Sequence, residues 1–358
     1  MSASAEARSG RSSAVHSICL FRLSALGDVC HCIPLIRALQ AGYPNAEITW
    51  IIGKTEFRLV GDMPGVEFIV FDKKSGVAGR RALRQQLSGR VFDVLLLAQT
   101  SLRSSWLSRL ISARRKIGYD YSRSREGHYL FVNERIRPVA NQHEADASLE
   151  FARVLGINAD LAAIDRSPPI QAQDREFARQ HQPEADHAVL ISPCSSHAAR
   201  NWLVARYAAV ADWIIEHADR PVILVGGPSD LERTTAQAIE SSMQHRPTNL
   251  VGQDTLGQAL AMFERAACLI APDSGPVHFA AALNTPVVGL YASTWSLRSG
   301  PFGSLEHCVD RYAQAAQQFY NRSPEQLRWG KRIERPGVMA LVEVDAVIAK
   351  LKPILLQG

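Results

Sequence analysis

The sequence predicts an α/β protein built of two Rossmann-like domains that face each other across a cleft. Three observations carry this expectation. Apolar runs of strand length alternate with segments of helical period, a polar and proline-bearing stretch interrupts the alternation near the middle, and the alternation then restarts. At 358 residues and 46% hydrophobic side chains, the chain has material for two buried cores.

The elements follow in order. "SICLF" reads as a strand, and Asp28 to Ala41 follows with helical period. "EITWII" and a short helix come next, then "VEFIVF" with a helix from Val77 to Leu87, then "FDVLLLA" with a helix from Leu102 to Ile111. The stretch "DRSPPIQAQDREFARQHQPEAD", residues 165–186, has no strand signal and marks the domain boundary. The second series is "HAVLIS" and Val204 to His217, "PVILVGG" and Asp230 to Ser241, "NLVG" and Leu256 to Ala266, "ACLIAP" and Pro276 to Leu283, and finally "PVVGLY". Val338 to Leu355 reads as one or two closing helices. The expected division is a disordered tail at residues 1–16, a first domain at 17–168, a second at 169–335 and a C-terminal helical segment at 336–358. The tail is rich in Ser, Ala and Arg and lacks the apolar core of a signal peptide.

Composition narrows the function classes. No run of about eighteen apolar residues occurs, so no membrane span is expected. A formal charge of +5 favours anionic partners without demanding nucleic acid. The six cysteines show no CxxC spacing, and most lie in apolar runs, which fits a reducing compartment. Cys30, His31 and Cys32 have metal-binding side chains, but neighbouring positions on a helix point in different directions, so they are read as core packing.

Three loops carry chemistry. "RLSALGDVCH" follows the first strand without a GxGxxG or a GxxxxGK[ST] motif, which removes nicotinamide-dependent and P-loop readings. Asp28 there opens a helix, where a carboxylate alone is an N-cap. "LIAPDSGPVHFAAAL" runs from a strand into a helix begun by Pro276; Gly275 allows close approach of an anion, and the helix N-terminus is a phosphate site. "ISPCSSHAARNW" offers Ser195, Ser196 and Arg200, groups suited to phosphate oxygens.

Together "RLSALGDVCHCIPLIRALQ", "SPCSSHAARNW" and "APDSGPVHFAAALNTPVVGLYAST" resemble the signature loops of the glycosyltransferase family 9 heptosyltransferases, GT-B enzymes of lipopolysaccharide inner-core assembly. The stretch "AQTSLRSSWLSRLISARRKIGYDYSRSREGHYLFVNERI" is further similar to the heptosyltransferase I branch, which acts on Kdo of the lipid A core. The resemblance implies a GT-B fold, a cytoplasmic enzyme and ADP-L-glycero-D-manno-heptose as donor. It makes Asp28 the general base and places Arg200 where the family usually has lysine. Ser195, Ser196, Asp273, Ser274, Gly275 and His278 become donor-binding residues, and Ser24, Gly27 and Arg125 acceptor-binding ones. One departure stands out: "ASTWS", Ala292 to Ser296, replaces the Gly-Pro-Thr turn of many members, with Arg298 nearby as a substitute cation.

The chemistry is arguable without the family. Sugar transfer needs a base at the acceptor hydroxyl and a stabiliser of the departing diphosphate, which Asp28 and Arg200 with the Ser274 and Gly275 amides provide. No DxD pair sits in a suitable loop, so an inverting transfer without metal or cofactor is expected. An anionic Kdo-lipid A acceptor agrees with the basic residues of the first half, among them Arg80, Arg81, Arg84, Arg103 and Arg109, which also suit peripheral contact with the inner membrane. The rivals are another GT-B enzyme on a different sugar nucleotide, including an epimerase, and a non-catalytic sugar-nucleotide binder.

Overall fold

The alternating pattern folds into two six-stranded, wholly parallel sheets, each flanked by helices. The computed structural model describes residues 15–356, so the expected tail lies almost wholly outside the described residues.

The first sheet is built from β1 (Ser17–Phe21), β2 (Glu47–Gly53), β3 (Val66–Phe71), β4 (Phe92–Leu97), β5 (Ala113–Gly118) and β6 (Glu134–Arg135), in the order β3-β2-β1-β4-β5-β6. β1 is central, with Leu20 in register with Trp50 on one side and Leu96 on the other. Helices cover both of its faces, and Ile18, Cys19, Leu20 and Phe21 are fully buried, which is why this strand is continuously apolar. The helices of this half are α1 (Leu26–Cys30), α2 (Ile33–Gly42), α3 (Lys54–Val60), α4 (Gly76–Gln86), α5 (Leu102–Leu107) and α6 (Glu144–Arg153).

The second sheet holds β7 (Val189–Ile191), β8 (Val222–Leu224), β9 (Thr248–Asn249), β10 (Cys268–Pro272), β11 (Val287–Tyr291) and β12 (Val309–Asp310), in the order β12-β11-β10-β7-β8-β9. Its helices are α7 (Ala172–His181), α8 (Val204–Ala218), α9 (Asp230–Ser242), α10 (Leu256–Arg265), α11 (Gly275–Ala282), α12 (Ser296–Ser299), α13 (Tyr312–Tyr320) and α14 (Val344–Leu355). The last helix packs Val347, Leu351 and Leu355 into the core of this second half.

Three local differences from the sequence expectation have physical causes. The helix expected from Asp28 to Ala41 is two helices, because Pro34 cannot donate to the Cys30 carbonyl and its ring crowds that turn. β5 carries the charged run "ARRK", which hides the strand signal; its Arg115 is held by the β6 residue Glu134 through two bonds of 2.8 Å. The polar stretch 165–186 contains α7, docked on α10 by Gln182 Nε2 donating to the Met262 carbonyl at 2.9 Å and by the Arg175–Glu264 pair.

Candidate active site

Both sheets reverse strand order beside a central strand, at β1/β4 in the first and β7/β10 in the second. Loops leaving such a pair diverge and open a crevice at the carboxyl ends of the strands, where open α/β sheets receive ligands. The three motif loops leave β1, β7 and β10, so all three reach these crevices.

In the first half, β1 runs directly into Arg22, whose guanidinium donates to the Ala98 carbonyl beyond β4 and to Asp28 Oδ2. Asp28 is not the helix N-cap that the sequence suggested. Helix α1 opens at Leu26, and Asp28, its third residue, accepts the Ala25 N–H at 3.0 Å. Both of these bonds fall on Oδ2, Oδ1 has no partner among the described residues, and the side chain is 41% exposed. Burial opposes the charge of Arg22, but Asp28, with Tyr119 and Cys32, outweighs it and lifts the Arg22 pKa above the ordinary arginine value. Ser24 Oγ accepts from Gln99 Nε2 at 3.2 Å, and Gln99 Oε1 accepts the Leu23 N–H at 2.7 Å, which fastens the loop to the end of β4.

In the second half, Arg200 closes the loop after β7 and meets Asp273 at the end of β10. Its Nη1 lies 3.1 Å from Asp273 Oδ2 and donates to the Asp273 carbonyl at 3.2 Å. Its Nε is buried without a hydrogen-bond partner, so the guanidinium keeps donor capacity in reserve. Ser274 occupies the N-cap position of α11, yet its hydroxyl donates backwards to the Pro272 carbonyl at 3.0 Å. No side chain caps α11, and its first-turn N–H groups are left for an anion. Ser195 serves its own loop: its N–H donates to Asn201 Oδ1 at 2.6 Å, and it is buried while Ser196 is exposed.

The two halves meet where α1 approaches α11. A Cβ on Gly27 would stand 2.8 Å from His278 Cδ2, closer than carbon atoms pack, so glycine is what permits the approach. His278 Nδ1 and His31 Nε2 share a hydrogen bond of 3.2 Å across this seam. His31 was expected to pack in the core with Cys30 and Cys32. The cysteines are buried as expected, but His31, the C-cap of α1 with helical backbone, presents its ring to the seam, where His278 of the second half meets it. His143 stands 6.4 Å from His31 by ring centroids, donates through Nε2 to the Gly300 carbonyl at 3.0 Å and accepts the Ala145 N–H at Nδ1, which fixes its tautomer. Desolvation depresses all three imidazoles: His31 well below its ordinary value, His143 to about 4, and His278 despite the opposing pull of Asp273 and Asp28.

One further carboxylate had no motif to announce it. Glu144, at the start of α6, pairs with Arg298 of α12 across the seam. Its pKa is raised, chiefly by desolvation and then by Asp28 and Asp273, so three carboxylates share one field. Arg298 thus bridges the halves. The Ala292–Ser296 turn is fixed by Ser296, whose N–H donates to Asp310 Oδ2 at 2.9 Å, and by Trp295, which stacks on Tyr312 at 5.5 Å and meets Trp329 at 5.3 Å. Arg125 stands apart, exposed in the loop after β5 and without an ion pair among the described residues.

Comparison with known proteins agrees with this architecture. The family model for glycosyltransferase family 9 (heptosyltransferase) matches residues 80–328. The chain is 38% identical to the lipopolysaccharide core heptosyltransferase OpsX of Haemophilus influenzae over 338 residues, covering 94% of this chain and 96% of the relative. Among solved structures it superposes on a glycosyltransferase family 9 protein of Veillonella parvula with a TM-score of 0.78 at 22% identity, covering 96% of this chain and 98% of the other. The E. coli heptosyltransferase WaaC with ADP gives a TM-score of 0.72 at 19% identity, over 94% and 99% of the two chains. The two doubly wound halves are therefore those of a GT-B enzyme, and the chain belongs to glycosyltransferase family 9, the heptosyltransferases.

Proposed function

We propose that this enzyme transfers a heptose from ADP-L-glycero-D-manno-heptose to Kdo of the lipopolysaccharide inner core, with inversion and without a metal ion. The observation that carries the reading is the Arg200–Asp273 pair beside the uncapped N-terminus of α11, set across the seam from Asp28. The name of the Haemophilus relative supports the substrate class.

In this mechanism Asp28 Oδ1 takes the proton of the acceptor hydroxyl while that oxygen attacks the anomeric carbon from the face opposite the diphosphate. The bond from the anomeric carbon to the diphosphate oxygen breaks, and ADP departs with the electron pair. Arg200 and the first-turn amides of α11 stabilise the charge that gathers on the departing oxygen. Arg22 holds Asp28 Oδ2, which leaves Oδ1 directed at the acceptor. Residues 17–168 form the acceptor domain in this reading and residues 169–335 the donor domain. Ser24, Gly27 and Arg125 serve the acceptor; Ser195, Ser196, Asp273, Ser274, Gly275 and His278 serve the donor. The enzyme works in the cytoplasm, at the face of the inner membrane that presents Kdo-lipid A.

Mass spectrometry of a reaction containing purified protein, ADP-heptose, Kdo-lipid A and EDTA tests the donor, the acceptor class and the metal independence together. A heptosylated product is expected. Binding of ADP-heptose without product in any metal condition would sink the transfer reading, and product only after a divalent cation is restored would sink the metal-independent one.

A further inference from the structure

Six of the thirteen exposed large apolar side chains among the described residues gather at one rim of the first half. They are Val77, Leu102, Trp106, Tyr121, Tyr129 and Leu130, each between 43% and 81% exposed. Isolated exposed apolar residues need no explanation, but a contiguous group does. These are contiguous. The Trp106 ring meets Phe131, the neighbour of Leu130, edge-on at 5.7 Å, and the Tyr121 and Tyr129 rings lie 5.8 Å apart. The Leu102 N–H donates to Glu126 at 2.6 Å, joining α5 to the loop after β5. Arg103 Nη2 donates to the Lys73 carbonyl at 2.6 Å, joining α5 to the loop before α4, where Val77 stands.

Cations surround this apolar ground. Lys74, Arg80, Arg81, Arg84, Arg103 and Arg109 are exposed, and none forms an ion pair among the described residues. The spacing of Val77, Arg81 and Arg84 puts them on one face of α4. Arg109 lies over the Trp106 ring at 5.0 Å, and Arg135 over Tyr121 at 4.3 Å. Two carboxylates stand among them, Asp72, which accepts the Lys74 N–H, and Glu126, which accepts the Leu102 N–H, and the six cations outnumber them.

We propose that this rim, formed by the start of α4, by α5 and by the loop after β5, docks the enzyme on an anionic lipid bilayer. The core of a protein–protein interface is depleted in charge, whereas here unpaired cations flank the apolar groups of α4 and α5, and arginines lie over the Trp106 and Tyr121 rings. Aromatic and aliphatic tips set among arginines fit the boundary between headgroups and acyl chains. The position fits as well. The rim is built from the segments that leave the carboxyl ends of β3, β4 and β5, the same edge from which the Asp28 loop leaves β1. A bilayer resting there presents its headgroups to the mouth of the acceptor crevice. The proposal rests on the lipid-anchored acceptor of the preceding section and adds the surface that meets the lipid.

Co-sedimentation with vesicles of equimolar phosphatidylcholine and phosphatidylglycerol reads the docking directly. The intact protein should sediment with these vesicles and not with phosphatidylcholine alone. Trp106→Ser combined with Leu130→Ser should weaken binding roughly tenfold or more through lost apolar burial. Arg81→Glu combined with Arg84→Glu should weaken it roughly 25-fold or more, since each cation near an anionic surface contributes about fivefold, and rising salt should erase the difference. Both variants should keep the melting temperature of the parent and lose turnover on vesicle-embedded Kdo-lipid A, and the Trp106 and Leu130 variant should keep the parent's turnover on a Kdo oligosaccharide without acyl chains. Failure of the intact protein to sediment with anionic vesicles, or equal sedimentation of both variants, overturns the proposal. A dimer that the Trp106 and Leu130 substitutions convert to a monomer also overturns it, by assigning the rim to a second copy of the chain. Sedimentation that persists when the intact protein transfers no heptose to the soluble acceptor supports the docking surface and sinks the acceptor reading alone.

Discussion

Asp28→Asn isolates the proton-transfer step from everything else Asp28 does. The amide keeps the side-chain shape, and its oxygen can still accept the Ala25 N–H that Asp28 holds at 3.0 Å, so α1 retains its start. What is lost is the ability to take a proton, and the charge opposite Arg22. Loss of a general base costs about 10²- to 10⁴-fold in turnover, or roughly 3–5 kcal/mol of transition-state stabilisation. The lost ion pair affects stability less. Arg22 is 13% exposed and Asp28 41%, so the pair lies between the surface and buried limits and its removal costs about 1–2 kcal/mol. For a chain of this length that lowers the melting temperature by a few degrees at most, on the order of 2 °C per kcal/mol. The assay is steady-state turnover with ADP-heptose and a soluble Kdo acceptor, beside calorimetric donor affinity and a thermal melt. Turnover should fall by those powers of ten, while donor affinity stays within about twofold if Asp28 acts on the acceptor as proposed. Turnover within tenfold of the parent would refute the base assignment and leave Asp28 as the residue that orders the start of α1.

Three further outcomes follow from the same geometry. Arg200→Ala should lower turnover by about 10²- to 10³-fold as a lost charge stabiliser, and should also lower the melting temperature, because Asp273, only 6% exposed, is left without its cation; an unchanged turnover would remove Arg200 from the chemistry. Gly27→Ala should lower turnover at least about tenfold with the fold retained, since its Cβ would collide with His278 at 2.8 Å and hold the halves apart; circular dichroism and kinetics together check it, and parent-like kinetics would mean the seam yields freely. The depressed histidines shape the pH dependence of stability: the unfolded chain takes up protons below the ordinary value of 6.5, while folded His143, and His128, buried after β5 where its Nε2 accepts the Tyr119 N–H, resist until about 4 chiefly through desolvation, so stability should fall as pH drops from about 6.5 towards 4. Melts across that window should show the decline, and His143→Gln should make it shallower; a melting temperature that is flat or rises on acidification would contradict the sign.

Much of the architecture was legible because parallel strands and covering helices leave local marks. The continuous apolar run of β1 reports burial on both faces, and helical period reports a face turned to the sheet. The three loops were legible for a related reason: a strand end, a small-residue turn and a helix start follow one another within about a dozen residues, and an anion site at a helix N-terminus needs little more. What was missed is nonlocal or masked. β5 hid behind "ARRK" because a strand held partly by a cross-strand ion pair need not be apolar. His143 at the head of α6 did have a local mark, the N-cap position before an amphipathic segment, but nothing there pointed to the cleft.

The sequence by itself determined the α/β class, the doubling of the pattern, the three loops and the family, since each is written in consecutive residues. Tertiary structure decided which groups share the site. It set Arg22 against Asp28, Arg200 against Asp273, His31 against His278 and Glu144 against Arg298, the last two pairs across a seam between residues more than 150 positions apart in the chain. Such pairings depend on where two separately formed sheets come to rest, and on a glycine small enough to let them meet. No periodicity or spacing in the chain encodes that distance, because it arises only when the packed halves fix it.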